Sequence, residues 1–299
     1  MRKITLISFM LLATIGFSIA GDYPVRGEGG KKQAFSRDSK KADVVRVAPH
    51  LAVNEEWVSE LTIRSDSDSP IFMVLEFYDA DGFPVEAVFY DSNNEQYSGE
   101  GFIIEELLPY EIYSLDFESL AGTRNMQVHV LTNEFEQDYG LEAAYYRFFR
   151  DEKITSVGVP IQPPGDLFVV NADQRFDPYT GNKRYRGIAL SNVDGLNCNC
   201  NVKLYNRFGD NLDNFGLAYP EVSVDIPAFG KWIGDVYALF PNIDTHLQDS
   251  LGYLEFSCDN PVSVLALSFE ANTPIATSVP VEYFDIQKTK DGKTKRIKR

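Results

Sequence analysis

Three cysteines are the residues best placed to do covalent chemistry: Cys198, Cys200 and Cys258. An N-terminal export signal, described below, puts them in an oxidising compartment, where one disulfide is the default. Parity decides the pairing. Cys198, Cys200, Val202 and Leu204 share one strand face, and Cys258 shares a face with Leu254 and Phe256. A Cys200–Cys258 bridge is expected, with Cys198–Cys258 as the alternative. A Cys198–Cys200 bond would be strained across one intervening residue. A redox or metal site built on the same cysteines lacks a histidine nearby.

Oxygen-rich turns come next. Asp66-Ser67-Asp68 and Asp79-Ala80-Asp81-Gly82 flank one strand. Asp79 and Asp81 are candidate calcium ligands, but aspartates in tight turns are ordinary turn chemistry. No metal or other cofactor is expected. His50, His129 and His246 sit on separate elements without ligand spacing. No Gly-x-Ser-x-Gly elbow and no serine–histidine–acid trio can be assembled.

Aromatics are dense, with 16 Tyr, 21 Phe and 2 Trp. Phe89, Tyr90, Tyr97, Tyr110 and Tyr113 lie in or beside polar loops and are the expected ligand-contact residues. Tyr145 to Phe149 is apolar on both strand faces, as a central strand covered on both sides would be.

These residues sit on short alternating strands. Trp57 to Ile63, Met73 to Phe77, Met126 to Leu131 and Val262 to Phe269 follow the period of half-buried strands. Ile71 to Tyr90 reads as a hairpin closed at Gly82. The signals recur: Leu75-Glu76-Phe77-Tyr78 matches Val202-Lys203-Leu204-Tyr205, and Val128-His129-Val130 matches Leu254-Glu255-Phe256. A seam falls at Gln162 to Gly165. The expected fold is all-β, with two tandem antiparallel β-sandwich domains at 44–162 and 163–285. One short helical turn is expected within Phe229 to Phe240. The repeated unit, with its Trp- or Tyr-led strand and its Tyr-x-x-x-Gly turn, resembles tandem immunoglobulin-like or fibronectin-type-III-like repeats of bacterial exported proteins. The resemblance implies adhesion, scaffolding or ligand binding, and carries no residue roles.

The ends differ from the body. Residues 1–20 have a basic start, an apolar stretch and Ser18-Ile19-Ala20, which together read as a cleaved secretory signal. Residues 21–43 are expected as a flexible leader and 286–299 as a solvated basic tail. Residues 42–285 hold 13 Lys/Arg against 40 Asp/Glu, which disfavours nucleic acid and anionic lipid. No transmembrane segment is expected. The function expected is a non-catalytic exported module, periplasmic or extracellular, with a protein partner. The alternatives are a glycan-binding module using exposed aromatics and a hydrolase with an unrecognised carboxylate site.

Overall fold

A computed structural model describes residues 20–28, 30–36, 43–132, 139–149, 152–172, 181–210, 221–241, 251–270, 276–288 and 294–299. Of residues 1–20, read as a secretory signal, all but Ala20 lie outside them. The chain is all-β, as the alternation predicts.

The first half builds two facing sheets. One has the order β3 (Asp43–Ala52), β10 (Asn125–Thr132), β5 (Ile71–Tyr78), β8 (Gly101–Leu107). The other runs β12 (Glu152–Pro160), β11 (Tyr139–Phe149), β4 (Trp57–Ser65), β9 (Ile112–Leu120), β6 (Ala87–Asp91), β7 (Gln96–Gly99). Their inward residues, among them Met73, Leu75, Phe77, Ile63, Leu115 and Phe117, form one apolar cluster.

Ile71 to Tyr90 is not the hairpin that the sequence suggests. Asp79 N donates to Phe83 O at 2.9 Å and Val85 N to Phe77 O at 3.0 Å, but the ladder stops there. Phe77 N instead donates to Glu100 O at 3.0 Å, and both edges of β5 are taken, by β10 and β8. The chain crosses over, and β6 pairs with β7 and β9 in the opposite sheet.

The second half repeats the pairing order. Its strands are β13 (Gly165–Asn171), β14 (Arg184–Asn192), β15 (Cys198–Asn206), β16 (Glu221–Ile226), β17 (Lys231–Asp235), β18 (Leu251–Glu270), β19 (Ala276–Ser278) and β20 (Val281–Lys288). The pairs β3·β10, β10·β5, β5·β8, β4·β9, β4·β11 and β11·β12 reappear as β13·β18, β18·β15, β15·β16, β14·β17, β14·β18 and β18·β19. One 20-residue strand, β18, thus stands where the first half has β10 and β11. A second apolar cluster fills this half, including Phe168, Leu190, Val202, Leu254 and Phe256. The expected helical turn is α1 (Val236–Leu239), capped by the Asp235 carboxylate, which accepts from Ala238 N at 2.8 Å.

Two end segments differ from expectation. The stretch read as a flexible leader contains β1 (Ala20–Pro24) paired with β2 (Lys32–Ser36). Tyr23, Val25 and Phe35 pack on Val74, Ile103 and Leu131, the outer face of the first sheet. Three apolar side chains suffice because the face they meet is already apolar. In the basic tail, β21 (Thr294–Lys298) pairs with β20. There Arg296 and Glu255 form a bidentate ion pair, and Arg299 reaches Asp285 at 2.6 Å. The acidic body supplies the counter-charges that hold the tail.

The halves meet through named contacts. The turn from Asp79 to Gly82 seats against the turn from Pro227 to Gly230. Lys231 N donates to Ala80 O at 2.9 Å, and Phe229 stacks on Tyr78 with centroids 5.6 Å apart. The buried Gln127 amide donates to the carbonyl oxygens of Asp79 and Phe229 and accepts from the Ser191 hydroxyl. Ser263 Oγ donates to Val47 O at 2.7 Å. The first cluster also takes in Ala189, Leu265, Leu267 and Ala276 from the second half.

Candidate functional site

Beside this joint lies a cleft of about 520 Å³. The first half supplies His50 from β3, Trp57 from β4, Arg124 and Asn125 at the start of β10, and Tyr145 and Arg147 from β11. The second supplies Ile188, Ile233, Leu265 and Phe269. The strand pattern explains why these groups converge. β11 is central in its sheet, so Tyr145 is buried at the base while Arg147, two residues on along the same face, reaches the rim. The Tyr145 hydroxyl donates to His50 O. Trp57 and Phe269 meet edge to face at 6.2 Å across the two halves. Arg147 lies 5.6 Å over the Trp57 ring and pairs with Glu56 at 3.3 Å. Asn54 Oδ1 accepts from Glu56 N and Trp57 N, fixing the loop that presents the indole.

The cleft is apolar with cationic groups at its edge. Among the described residues no carboxylate lines it, although the chain's net charge is −16. Three buried polar atoms at or behind it have no hydrogen-bond partner among the described residues: His50 Nδ1, Asn125 Oδ1 and Lys231 Nζ. Burial, then the charge on Lys231, pushes the His50 imidazole down to about 3. It is therefore neutral near pH 7 and offers a hydrogen bond rather than a charge.

Burial likewise pushes Lys231 down to about 7, partly offset by Asp79. Between pH 7 and 10.5 the unfolded chain holds a proton that the folded chain has released. Stability therefore rises across that window, and the penalty is fully present below it. Lys231→Met should raise stability at pH 7 by about 2 kcal/mol and abolish that rise, because a desolvated ammonium is costly and a thioether is not. Urea denaturation at pH 7 and pH 10 measures both effects. A variant with the wild-type pH slope would contradict this account of Lys231.

Compared with known protein families, curated proteins and solved structures, the chain matches none. The site's meaning therefore rests on its own geometry.

The aromatic residues expected at a ligand surface are mostly elsewhere. Phe89, Tyr97 and Tyr113 are buried in the first core. Phe89 alternates inward with Ala87 and Asp91 along β6, and Tyr97 does so along β7. The Tyr113 hydroxyl donates to Asp91 at 2.8 Å. Tyr90 is half-buried on the outer face of β6. Only Tyr110 stands well exposed. The aromatics that do frame a cleft, Trp57, Tyr145 and Phe269, come together only in three dimensions. Tyr145 was legible in advance as part of a doubly covered strand.

The acidic turns are structural. Asp79 Oδ1 accepts from Asp81 N and Phe83 N, both at 2.9 Å. Asn206 does the same in the second half, accepting from Phe208 N and Asp210 N at 2.8 and 2.9 Å. An amide replaces the acid without loss because the turn needs only the oxygen. Asp66 is held by Arg64, and Asp68 accepts from Tyr110. The weak calcium candidates Asp79 and Asp81 thus belong to a turn.

Cys200 and Cys258 face each other in register across β15 and β18, with sulfurs at disulfide distance, 2.05 Å. The matching positions of the first half, Met73 and Thr132, are likewise opposite. Cys198 is buried, 3.9 Å from the Cys200 sulfur, and faces Asn260 O at 3.6 Å. Burial pushes its thiol up to about 11, so little nucleophilic thiolate exists at neutral pH. All three sulfurs lie within 4.8 Å of one another. With two of them joined, one buried thiol remains, and one thiol does not make a metal site.

Proposed function

We propose that this chain is an exported, non-catalytic binding protein, and that the cleft between its halves receives a small organic anion with an apolar body. One observation carries the reading: in a strongly acidic chain, the cleft has an apolar lining, Arg124 and Arg147 at its edge and no lining carboxylate among the described residues. Its size falls in the range of small-molecule sites. Trp57 and Phe269 would cover the apolar body, and the arginines would meet the acid group through charge-assisted hydrogen bonds. Export is supported by the basic and apolar N-terminal segment and by the cysteine pair at disulfide distance. A glycan platform loses support because three of its five rings are buried.

The test is calorimetric titration with aromatic and medium-chain carboxylates, each beside its neutral amide. Carboxylates should bind and amides should not. Arg147→Gln should weaken binding tenfold or more, since a hydrogen bond to a charged group is worth about 1.5–3 kcal/mol. Amides binding as tightly as acids would refute the anion reading, and silence across the whole panel would refute the cleft.

A further inference from the structure

The joint between the halves has two parts, a wedge and a seat, and each part occurs twice in the chain. The wedge is the turn Pro227 to Gly230 between β16 and β17. Gly230 N donates to Pro227 O at 2.9 Å, and Phe229 sits in the left-handed region at φ 51°. The first half has the same turn between β8 and β9. Glu111 N donates to Leu108 O at 3.1 Å, and Tyr110 has φ 60°. A bulky residue rarely adopts this conformation, so its presence at both places marks the turns as equivalent. Leu108, Tyr110 and Ile112 therefore correspond to Pro227, Phe229 and Lys231.

The two wedges differ in what covers them. Phe229 is stacked on Tyr78 and meets His129 with ring centroids 5.8 Å apart, and Lys231 is buried. The first-half counterparts are exposed: Leu108 51%, Tyr110, whose hydroxyl donates to Asp68, 68%, and Ile112 63%. Arg26 grips Glu111, which also accepts from Leu108 N at 2.8 Å, so this turn is held in shape without being covered.

The seat is duplicated too. In the first half it is the turn from Tyr78 to Gly82. In the second it is the turn from Tyr205 to Gly209, with the same side-chain oxygen bridging two N–H groups. Gly82 and Gly209 both have φ 86°. A Cβ on Gly82 would collide with the Ala228 carbonyl oxygen, whereas one on Gly209 would meet nothing within 4 Å among the described residues. Next to it Phe208 is 73% exposed.

We propose that copies of this chain associate head to tail, the Leu108–Tyr110–Ile112 wedge of one copy seating on the Tyr205–Gly209 turn of the next. The occupant is a second copy because the chain already makes this joint once with itself: the second wedge is exposed at Leu108, Tyr110 and Ile112, and the second seat, where Tyr205 is stacked on Tyr253, is exposed at Phe208 and open at Gly209 among the described residues. The contact joins two different surfaces, so it does not pair two copies on a two-fold axis; it extends past the dimer, as an open chain or a closed ring. It is a small contact, so association should be weak and rise with concentration.

Two single variants test it in the full chain: Tyr110→Asn, which removes the wedge ring with a residue that tolerates a positive φ, and Phe208→Asp, which charges the seat. Both positions are exposed, so both variants should melt with the wild type. Sedimentation velocity should show wild-type mass growing past the dimer as concentration rises. Each variant alone should associate at least tenfold more weakly. An equal mixture of the two retains one good wedge and one good seat, and should reach twice the monomer mass and stop. Three results would overturn the proposal: a wild type monomeric throughout the series, Tyr110→Asn associating like wild type, or Phe208→Asp associating like wild type, as it would if wedges paired with wedges.

Discussion

Replacing Gly82 by alanine should cost roughly 2 kcal/mol more stability than replacing Gly209 by alanine. The two glycines are matched controls. Both have φ 86°, so each substitution incurs the left-handed penalty of about 1–2 kcal/mol for an L-residue. Only Gly82 lies against the other half, where a methyl group would strike the Ala228 carbonyl oxygen, itself held by rigid backbone. That backbone cannot retreat freely. Gly230 packs in turn against Ala80 O, 2.7 Å from where its own Cβ would stand, and Lys231 N is bonded to the same oxygen. The added methyl must therefore prise the joint apart, exposing Phe229 and the shared Gln127 amide. Equilibrium denaturation of both variants reads the difference. A second, separate unfolding transition in Gly82→Ala would show the halves uncoupled. Equal losses in the two variants would mean that the joint contributes nothing.

The double variant Cys200→Ala/Cys258→Ala should lose about 4 kcal/mol, as chain entropy implies for a loop of this length; the two cysteines are 58 residues apart. Changing both leaves only the buried Cys198, so no substitute bridge can form. Unreduced peptide mapping of wild type should recover Cys200 linked to Cys258 and Cys198 as a free thiol. Wild type unfolded with a reductant present should match the double variant. Recovery of Cys198 in the bridge, or of three free thiols, would contradict the pairing.

The sequence made the strands and their repetition readable, because alternation reports which side of a sheet faces a core. It made the cysteine pair readable for the same reason: parity placed Cys200 and Cys258 on inward faces, and register put them opposite. It misled where one residue serves two roles. Phe89 and Tyr97 border polar loops yet alternate inward, and alternation should have outranked the neighbourhood. Gly82 and Gly209 looked like one repeated signature, and for backbone conformation they are. Their surroundings differ, and no local pattern carries that. The cleft was illegible because it joins three distant stretches, around His50 and Trp57, Asn125 and Phe269, which meet only when the halves dock. The leader was misread because composition counts its own apolar residues and ignores the apolar sheet face waiting for them.

Strand β18 has a mechanical consequence. Its first part pairs with β15 and β13, and its last part with β14 and β19. In the first half β10 and β11 are separate strands in separate sheets, so the two sheets share no strand. In the second half both sets of partners hang on one strand, so a pull on either end of β18 loads them together. Under tension the chain would therefore yield in its first half before its second.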